Sequence, residues 1–173
     1  MTWTDPVNVS AGTTAKASQV NLQVFSNLRF LHDTPACSVS RAAALSLVDN
    51  TWTAIGFDTE ERDNAAMHST SANTERLTAP IAGMYVVHAR IAIPAVASGA
   101  IGVRLARSDG VLYRLDRRPL TTIVQYLGGS REIKLSAGQY VTVEVNQSSG
   151  ATLALDLADS GVAAQMRWIS PNT

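Results

Sequence analysis

Cysteine, histidine, lysine and charge are all scarce in this sequence: one Cys, three His, two Lys, and charged residues at only 16% of 173 positions. With Cys37 alone, neither an intrachain disulfide nor a thiolate metal cage can form. His32, His68 and His88 are scattered without a His-x-x-x-His spacing, so they read as surface or satisfied core residues and not as a metal centre. Fourteen basic and fourteen acidic residues cancel. Arg104, Arg107, Arg114, Arg117 and Arg118 are interleaved with Asp109 and Asp116, so no concentrated positive surface for a nucleic-acid backbone is expected. No apolar run approaches the roughly eighteen residues of a membrane span. The opening Met-Thr-Trp-Thr-Asp-Pro lacks the basic and apolar segments of a secretion signal.

Catalytic patterns are missing too. No Gly-x-Ser-x-Gly elbow occurs, and Gly128-Gly129-Ser130 lacks the Lys of a phosphate loop, so it reads as a hairpin turn. No opposed carboxylate pair of the glycosidase kind can be assigned. The densest run of oxygen ligands is Asp58, Glu60, Glu61 and Asp63. Arg62 interrupts it, and no Gly supplies the sharp turn of a calcium loop, so a solvated loop is expected there. The sequence therefore predicts a protein without catalytic residues, cofactor or metal.

What is present falls into two parts. Apolar residues make up 46% of the chain, enough for a buried body. Residues 1–35 differ from the rest. Residues 1–14 are small, polar and turn-prone. A helix is predicted over about 15–32, with Thr14 or Ser18 as cap and Pro35 enforcing its end. Val20, Val24, Leu28 and Leu31 form one narrow apolar stripe, opposite the polar Gln19, Asn21, Gln23, Asn27 and Arg29. So short a helix with so narrow a stripe needs a partner surface. That surface is either the rest of this chain or another subunit.

Beyond Pro35 the period becomes two. Tyr85, Val87, Ala89, Ile91 and Ile93 alternate with Val86, His88, Arg90 and Ala92. Val141, Val143 and Val145 repeat the pattern, as do Leu153, Leu155 and Leu157. Turn residues punctuate the runs at Ser98-Gly99, Ser108-Asp109-Gly110, Ser149-Gly150 and Asp159-Ser160-Gly161. Strands are expected near 37–47, 51–58, 75–79, 83–94, 101–108, 111–118, 121–127, 131–135, 139–147, 151–157 and 162–169. About ten short antiparallel strands over residues 36–173 describe an all-β sandwich of the jelly-roll kind.

The run from Thr51 to Ile93 resembles the globular head of the C1q/TNF-like superfamily as it occurs in phage virion proteins. Leu77 stands six positions before Gly83-Met84-Tyr85, and Phe57-Asp58 with an Asn/Thr-rich loop to Asn73 precedes it. Leu135-Ser136-Ala137-Gly138-Gln139-Tyr140-Val141 resembles the turn into the penultimate long strand, and Trp168-Ile169 suits a final one. Val87 and Ala89 stand where that family carries aromatics. The N-terminal part is similar to a short module that opens many tailed-phage structural proteins, on Trp3, Ser10-Ala11-Gly12, Ala17, Asn21, Asn27-Leu28 and Leu31.

The resemblance implies a homotrimeric jelly roll whose N-terminal segment docks into a bacteriophage particle. Trp3, Val20, Val24, Leu28 and Leu31 are the expected attachment residues. Phe57, Leu77, Gly83, Tyr85, Val87, Val141, Val143 and Trp168 are the expected fold and trimer core. Strands such as 83–94, read as apolar on both faces, would bury their excess surface against neighbouring subunits. The implied role is a non-enzymatic virion appendage, a minor tail or fibre-type protein meeting a host surface glycan or other polymer. The alternatives are a capsid decoration protein or head fibre and, further off, a polysaccharide depolymerase.

Overall fold

The computed structural model describes residues 3–4, 6–7, 10–14 and 16–171. The chain divides into two compact units between Thr34 and Pro35.

The first unit carries one helical run. It is α-helical over Ala17–Val20, π-helical over Asn21–Phe25 and α-helical again over Ser26–His32. Ala15, the expected start, lies outside the described residues. Neither Thr14 nor Ser18 is the cap. Lys16 holds that position, and Gln19 reaches back so that its Oε1 accepts the Lys16 backbone N–H at 3.0 Å, one half of a capping box. At the π-segment the Ser26 N–H bonds to the Asn21 carbonyl five residues back, and the Ser26 hydroxyl donates to the same oxygen at 3.0 Å. A wide turn of this kind is a local rearrangement of backbone bonds, to which hydrophobic spacing is blind.

The second unit is a β-sandwich. Its strands are β1 (Ala36–Ser40), β2 (Ser46–Leu47), β3 (Thr53–Ala54), β4 (Thr59–Asp63), β5 (Arg76–Thr78), β6 (Gly83–Ile93), β7 (Ala100–Arg107), β8 (Leu112–Pro119), β9 (Gln125–Leu135), β10 (Tyr140–Gln147), β11 (Leu153–Ala154) and β12 (Ala163–Ser170). One sheet has the order β4-β1-β12-β6-β9. The other has the order β3-β10-β7-β8, with β5 also paired to β10, and β2 and β11 form a small ribbon. Every ladder is antiparallel. Since strand side chains alternate, each sheet turns one row inward. Tyr85, Val87, Ala89, Ile91 and Ile93 of β6 meet Val141, Val143 and Val145 of β10 and Ile101, Val103 and Leu105 of β7 in a core from which water is excluded.

Several sequence expectations fail here, and the strands expected at 51–58 and 151–157 shrink to Thr53–Ala54 and Leu153–Ala154. The expected strand at 37–47 is two strands separated by a bend. The acidic run expected as a solvated loop is instead an edge strand, β4, hydrogen-bonded to β1 with a register shift between Ser38 and Val39; charged residues are a common device for blunting such an edge. Gly128-Gly129-Ser130 is not a hairpin turn. It lies inside the continuous strand β9, where Gly128, Gly129 and Ser130 pair with Arg90, Ala89 and His88. Gly128 serves close approach, not chain reversal: a Cβ there would run into the Ala89 carbonyl. Gly128→Val should therefore push β9 off β6 and cost about 1–3 kcal/mol, as overpacking does. An unchanged thermal midpoint by circular dichroism would refute that close approach.

The hairpin glycines expected between strands do sit at turns. Gly110 has φ +88° in the β7–β8 reversal and Gly138 has φ +82° before β10, a region that L-residues with a Cβ rarely visit. One feature escaped the pattern entirely. Gln147 is fully buried, yet its Nε2 donates to the Leu47 and Ala151 carbonyls at 3.2 and 2.7 Å, and its Oε1 accepts the Ser149 N–H at 2.6 Å. A polar group is tolerated in the core when its bonds are satisfied in this way.

Candidate functional site

Trp168 and Gly83 explain the Gly-x-Tyr signature. β12 pairs with β6 so that Trp168 stands opposite Tyr85. The indole lies against Gly83, where any Cβ would collide with its Nε1 edge and with the Ser170 carbonyl. Trp168 Nε1 donates to the Ala82 carbonyl at 3.4 Å, and the Tyr85 hydroxyl donates to the Ile81 carbonyl at 2.7 Å. Burial pushes the Tyr85 phenol up to about 12, against the lowering effect of its bond to Ile81. Leu77 pairs with Val141 across β5 and β10. Phe57, Leu77, Gly83, Tyr85, Val87, Val141, Val143 and Trp168 are all buried.

The outward face of the five-stranded sheet differs from expectation. Ser38, Gln165, His88 and Ser130 stand in one row across β1, β12, β6 and β9. His88 Nδ1 lies 2.9 Å from Ser130 Oγ, and Arg90 donates to the Asp159 and Ser160 carbonyls at 3.0 and 2.6 Å. β6 is thus not apolar on both faces. Met84 and Val86 are half-buried, whereas His88 and Arg90 are exposed and polar. Exposed apolar side chains of this unit gather at connections and strand ends, among them Val48, Val111, Leu112, Ile123, Val124 and Tyr126.

The carboxylates of the acidic run are each held by separate partners. Asp58 accepts the Ala42 and Ala43 N–H groups, both at 2.8 Å, and the Thr59 hydroxyl. Burial opposes ionisation there, but those backbone bonds outweigh it and hold the carboxyl below its ordinary range. Glu60 Oε1 lies 2.8 Å from His68 Nδ1, Glu61 accepts the Ser38 hydroxyl, and Asp63 accepts the Ala65, Met67 and His68 N–H groups. The Glu60 and Asp63 bonds close the loop after β4, whereas Asp58 holds the segment after β1 and Glu61 links β4 to β1. Among the described residues no group of three or more His, Cys, Asp or Glu side chains is placed to hold a metal ion. Cys37 is buried, and that burial, then the nearby Asp63 charge, pushes its thiol up to about 12, the opposite of a reactive thiolate.

In the first unit the extended lead runs antiparallel to the helix. The Trp3 ring meets Phe30 edge-on at 6.1 Å between centroids. The Asn27 amide clasps the Thr4 backbone from both sides: its Oδ1 accepts the Thr4 N–H at 3.1 Å and its Nδ2 donates to the Thr4 carbonyl at 2.7 Å. Gln23 Oε1 accepts the Val7 N–H at 3.2 Å. A turn with Gly12 at φ +82°, closed by Thr13 on the Ser10 carbonyl, reverses the chain toward the helix. Asn27 and Phe30 are the buried helical residues. Within the first unit Val20, Val24, Leu28 and Leu31 are not buried, and neither are Leu22 and Phe25; all six are 38–63% exposed. The helix thus uses a polar–aromatic face for its own lead and leaves an apolar face open.

No protein-family model matches the chain, and neither does any curated protein. Solved structures do. The globular domain of zebrafish complement 1qA superposes with a TM-score of 0.59 at 15% identity, covering 80% of this chain and 100% of that one. The β-sandwich has the C1q/TNF-like fold. Murine APRIL at pH 5.0 matches with a TM-score of 0.59 at 14% identity over 78% of this chain and 98% of that one. At such identities the likeness establishes architecture and leaves function to the residues. The core of the sandwich is largely aliphatic, in line with an aromatic content of only 6%.

Proposed function

We propose that this protein is a non-enzymatic, trimeric component of a tailed-bacteriophage particle, a tail- or fibre-type appendage whose first unit docks on the virion and whose C1q/TNF-like unit is displayed to the host surface. The observation that carries this reading is the first unit. Its lead is stitched to one helix face by Asn27, Gln23 and Trp3, while six large apolar side chains stay exposed on the same helix. Exposed apolar surface gathered on so short an element fits a docking face. The jelly roll has its own core and needs no such help.

A trimer is the assembly that suits the fold and the role. Three-fold display converts weak single contacts with a surface polymer into useful adhesion, because the second and third contacts form at high effective concentration. The purified full chain should scatter light with about three times its 18.4 kDa mass. Antibodies against it should label purified particles at the tail. A monomer in solution would overturn the trimer, and label confined to the capsid would favour the decoration role.

A further inference from the structure

We infer that the outer face of the β10-β7-β8 sheet holds a binding groove for a carboxylated saccharide, with Trp52 as the stacking platform and Arg114 and Arg117 as the carboxylate-recognising groups. This deepens the adhesion reading above by naming the ligand class.

The platform is built in layers. Arg104 on β7 is fixed by Glu144 on β10, with its Nε and Nη2 both 2.6 Å from Glu144 Oε2. The held guanidinium lies against the Trp52 ring, 3.9 Å from its centroid, a cation–π contact that lowers the freedom of both groups. Gly102 completes the support: a Cβ there would sit 3.4 Å from the far edge of the indole. One side of Trp52 is therefore occupied by its own protein, yet the residue remains 39% exposed. An indole braced in this way offers an apolar face to a ligand without further ordering cost.

Beside it the sheet is indented. Gly102 has no side chain, and its register partners Asn146 on β10 and Arg117 on β8 form the walls. The groove measures about 370 Å³ and is also lined by Arg114, which stands opposite Arg104 across β7 and β8. That volume falls in the range of small-ligand sites. Two like charges directly opposite each other are unfavourable. Arg104 is neutralised by Glu144, and Asp116 on the groove's edge is paired with Arg118 at 2.8 Å. Among the described residues Arg114 and Arg117 have no carboxylate partner in the ion pairs formed.

These features select a ligand. A pyranose ring presents an apolar C–H face to an aromatic plane and hydroxyl groups to Asn146. A planar, unpaired guanidinium suits a carboxylate, which it can bind through two parallel N–H bonds. A uronic or sialic acid unit of a surface polysaccharide satisfies all three elements together. A nucleic-acid strand fits less well, because the Glu144 carboxylate lies on this face and the chain carries no net charge.

The test uses the full chain in solution, with titration calorimetry and tryptophan fluorescence. The probes are an oligogalacturonate, a neutral dextran oligosaccharide of equal length, and a single-stranded DNA oligomer. The oligogalacturonate should bind at least about tenfold more tightly than the other two. Trp52→Ala, and separately Arg114→Gln with Arg117→Gln, should each weaken it about tenfold or more, as loss of an aromatic or Arg anchor does. Should Trp52→Ala lower the melting temperature, the exposed arginine pair carries the test and Trp52→Phe should retain part of the affinity. No binding of the uronate at millimolar concentration, binding untouched by these substitutions, or tighter binding of DNA would each overturn the assignment. Because the readout needs no particle, a chain that binds uronate but is absent from virions would sink the appendage reading and leave the groove standing. A particle-borne chain that binds none would do the reverse.

Discussion

Replacing Tyr85 with Ala should cost about 3–5 kcal/mol, the range for emptying a buried aromatic site. In a domain of this size that corresponds to a fall in Tm of roughly 6–20 °C, which thermal circular dichroism will read directly. The ring is fully buried and faces Trp168 and Ile133 across two ladders, so its loss opens a cavity at the junction of three strands. Gly83→Val should be at least as damaging, since its side chain would occupy the space of the Trp168 indole and the Ser170 carbonyl. Tyr85→Phe separates packing from hydrogen bonding. It removes only the bond to Ile81 and should cost about 1 kcal/mol. It should also remove a pH dependence. The folded phenol titrates at about 12 against an ordinary value of 10, so its neutral form is favoured by folding. The stability it contributes is complete below pH 10 and is lost as pH rises from 10 toward 12. A Tyr85→Ala protein that melts like the parent would show that the Trp168–Tyr85–Gly83 cluster does not hold this core together.

The second large effect concerns attachment. Removing residues 1–34 should leave the C1q/TNF-like unit folded, with its melting transition kept, while incorporation into particles falls below detection. The unit that begins at Pro35 has its own core. Val24→Asp with Leu28→Asp should act in the same way without shortening the chain, because each would place an unpaired charge in the docking face. Both residues are exposed, at 46% and 59%, so the soluble protein should not notice the change. Complemented particles are purified and probed for each variant. Normal copy number from the truncated chain would mean that the β-sandwich makes the attachment itself, and the helix would then be an internal brace.

Much of this was legible in the residues, for reasons that can be named. β6 and β10 follow from strict period-2 alternation, because only inward side chains must be apolar and the pleat enforces the alternation, whereas the alternating Leu153, Leu155 and Leu157 yield only the two-residue β11. Turn positions such as Gly110 and Gly138 follow from the need for positive φ, which is a local property. The helix through His32 follows from apolar spacing and the proline beyond it.

Other features were decided only when distant segments met. Gly128 looks like a turn glycine in one dimension, and it is a strand glycine because the Ala89 carbonyl passes close to it. β4 reads as a solvated loop from its charges, and becomes a strand because β1 offers it a hydrogen-bonding edge. Apolar spacing marks a stripe on the helix, but which face the lead covers is set by a side-chain amide, Asn27, finding the Thr4 backbone. Trp52 carried no sequence signal, because its platform exists only where β7 and β10 bring Arg104 and Glu144 together. The sequence by itself determined the period, the positive-φ turns at Gly110 and Gly138 and the exclusion of recognisable catalytic motifs, since these rest on neighbours in the chain. The tertiary structure alone decided close approaches, edge pairing and the surface groove, because each is a contact between residues that the chain keeps far apart.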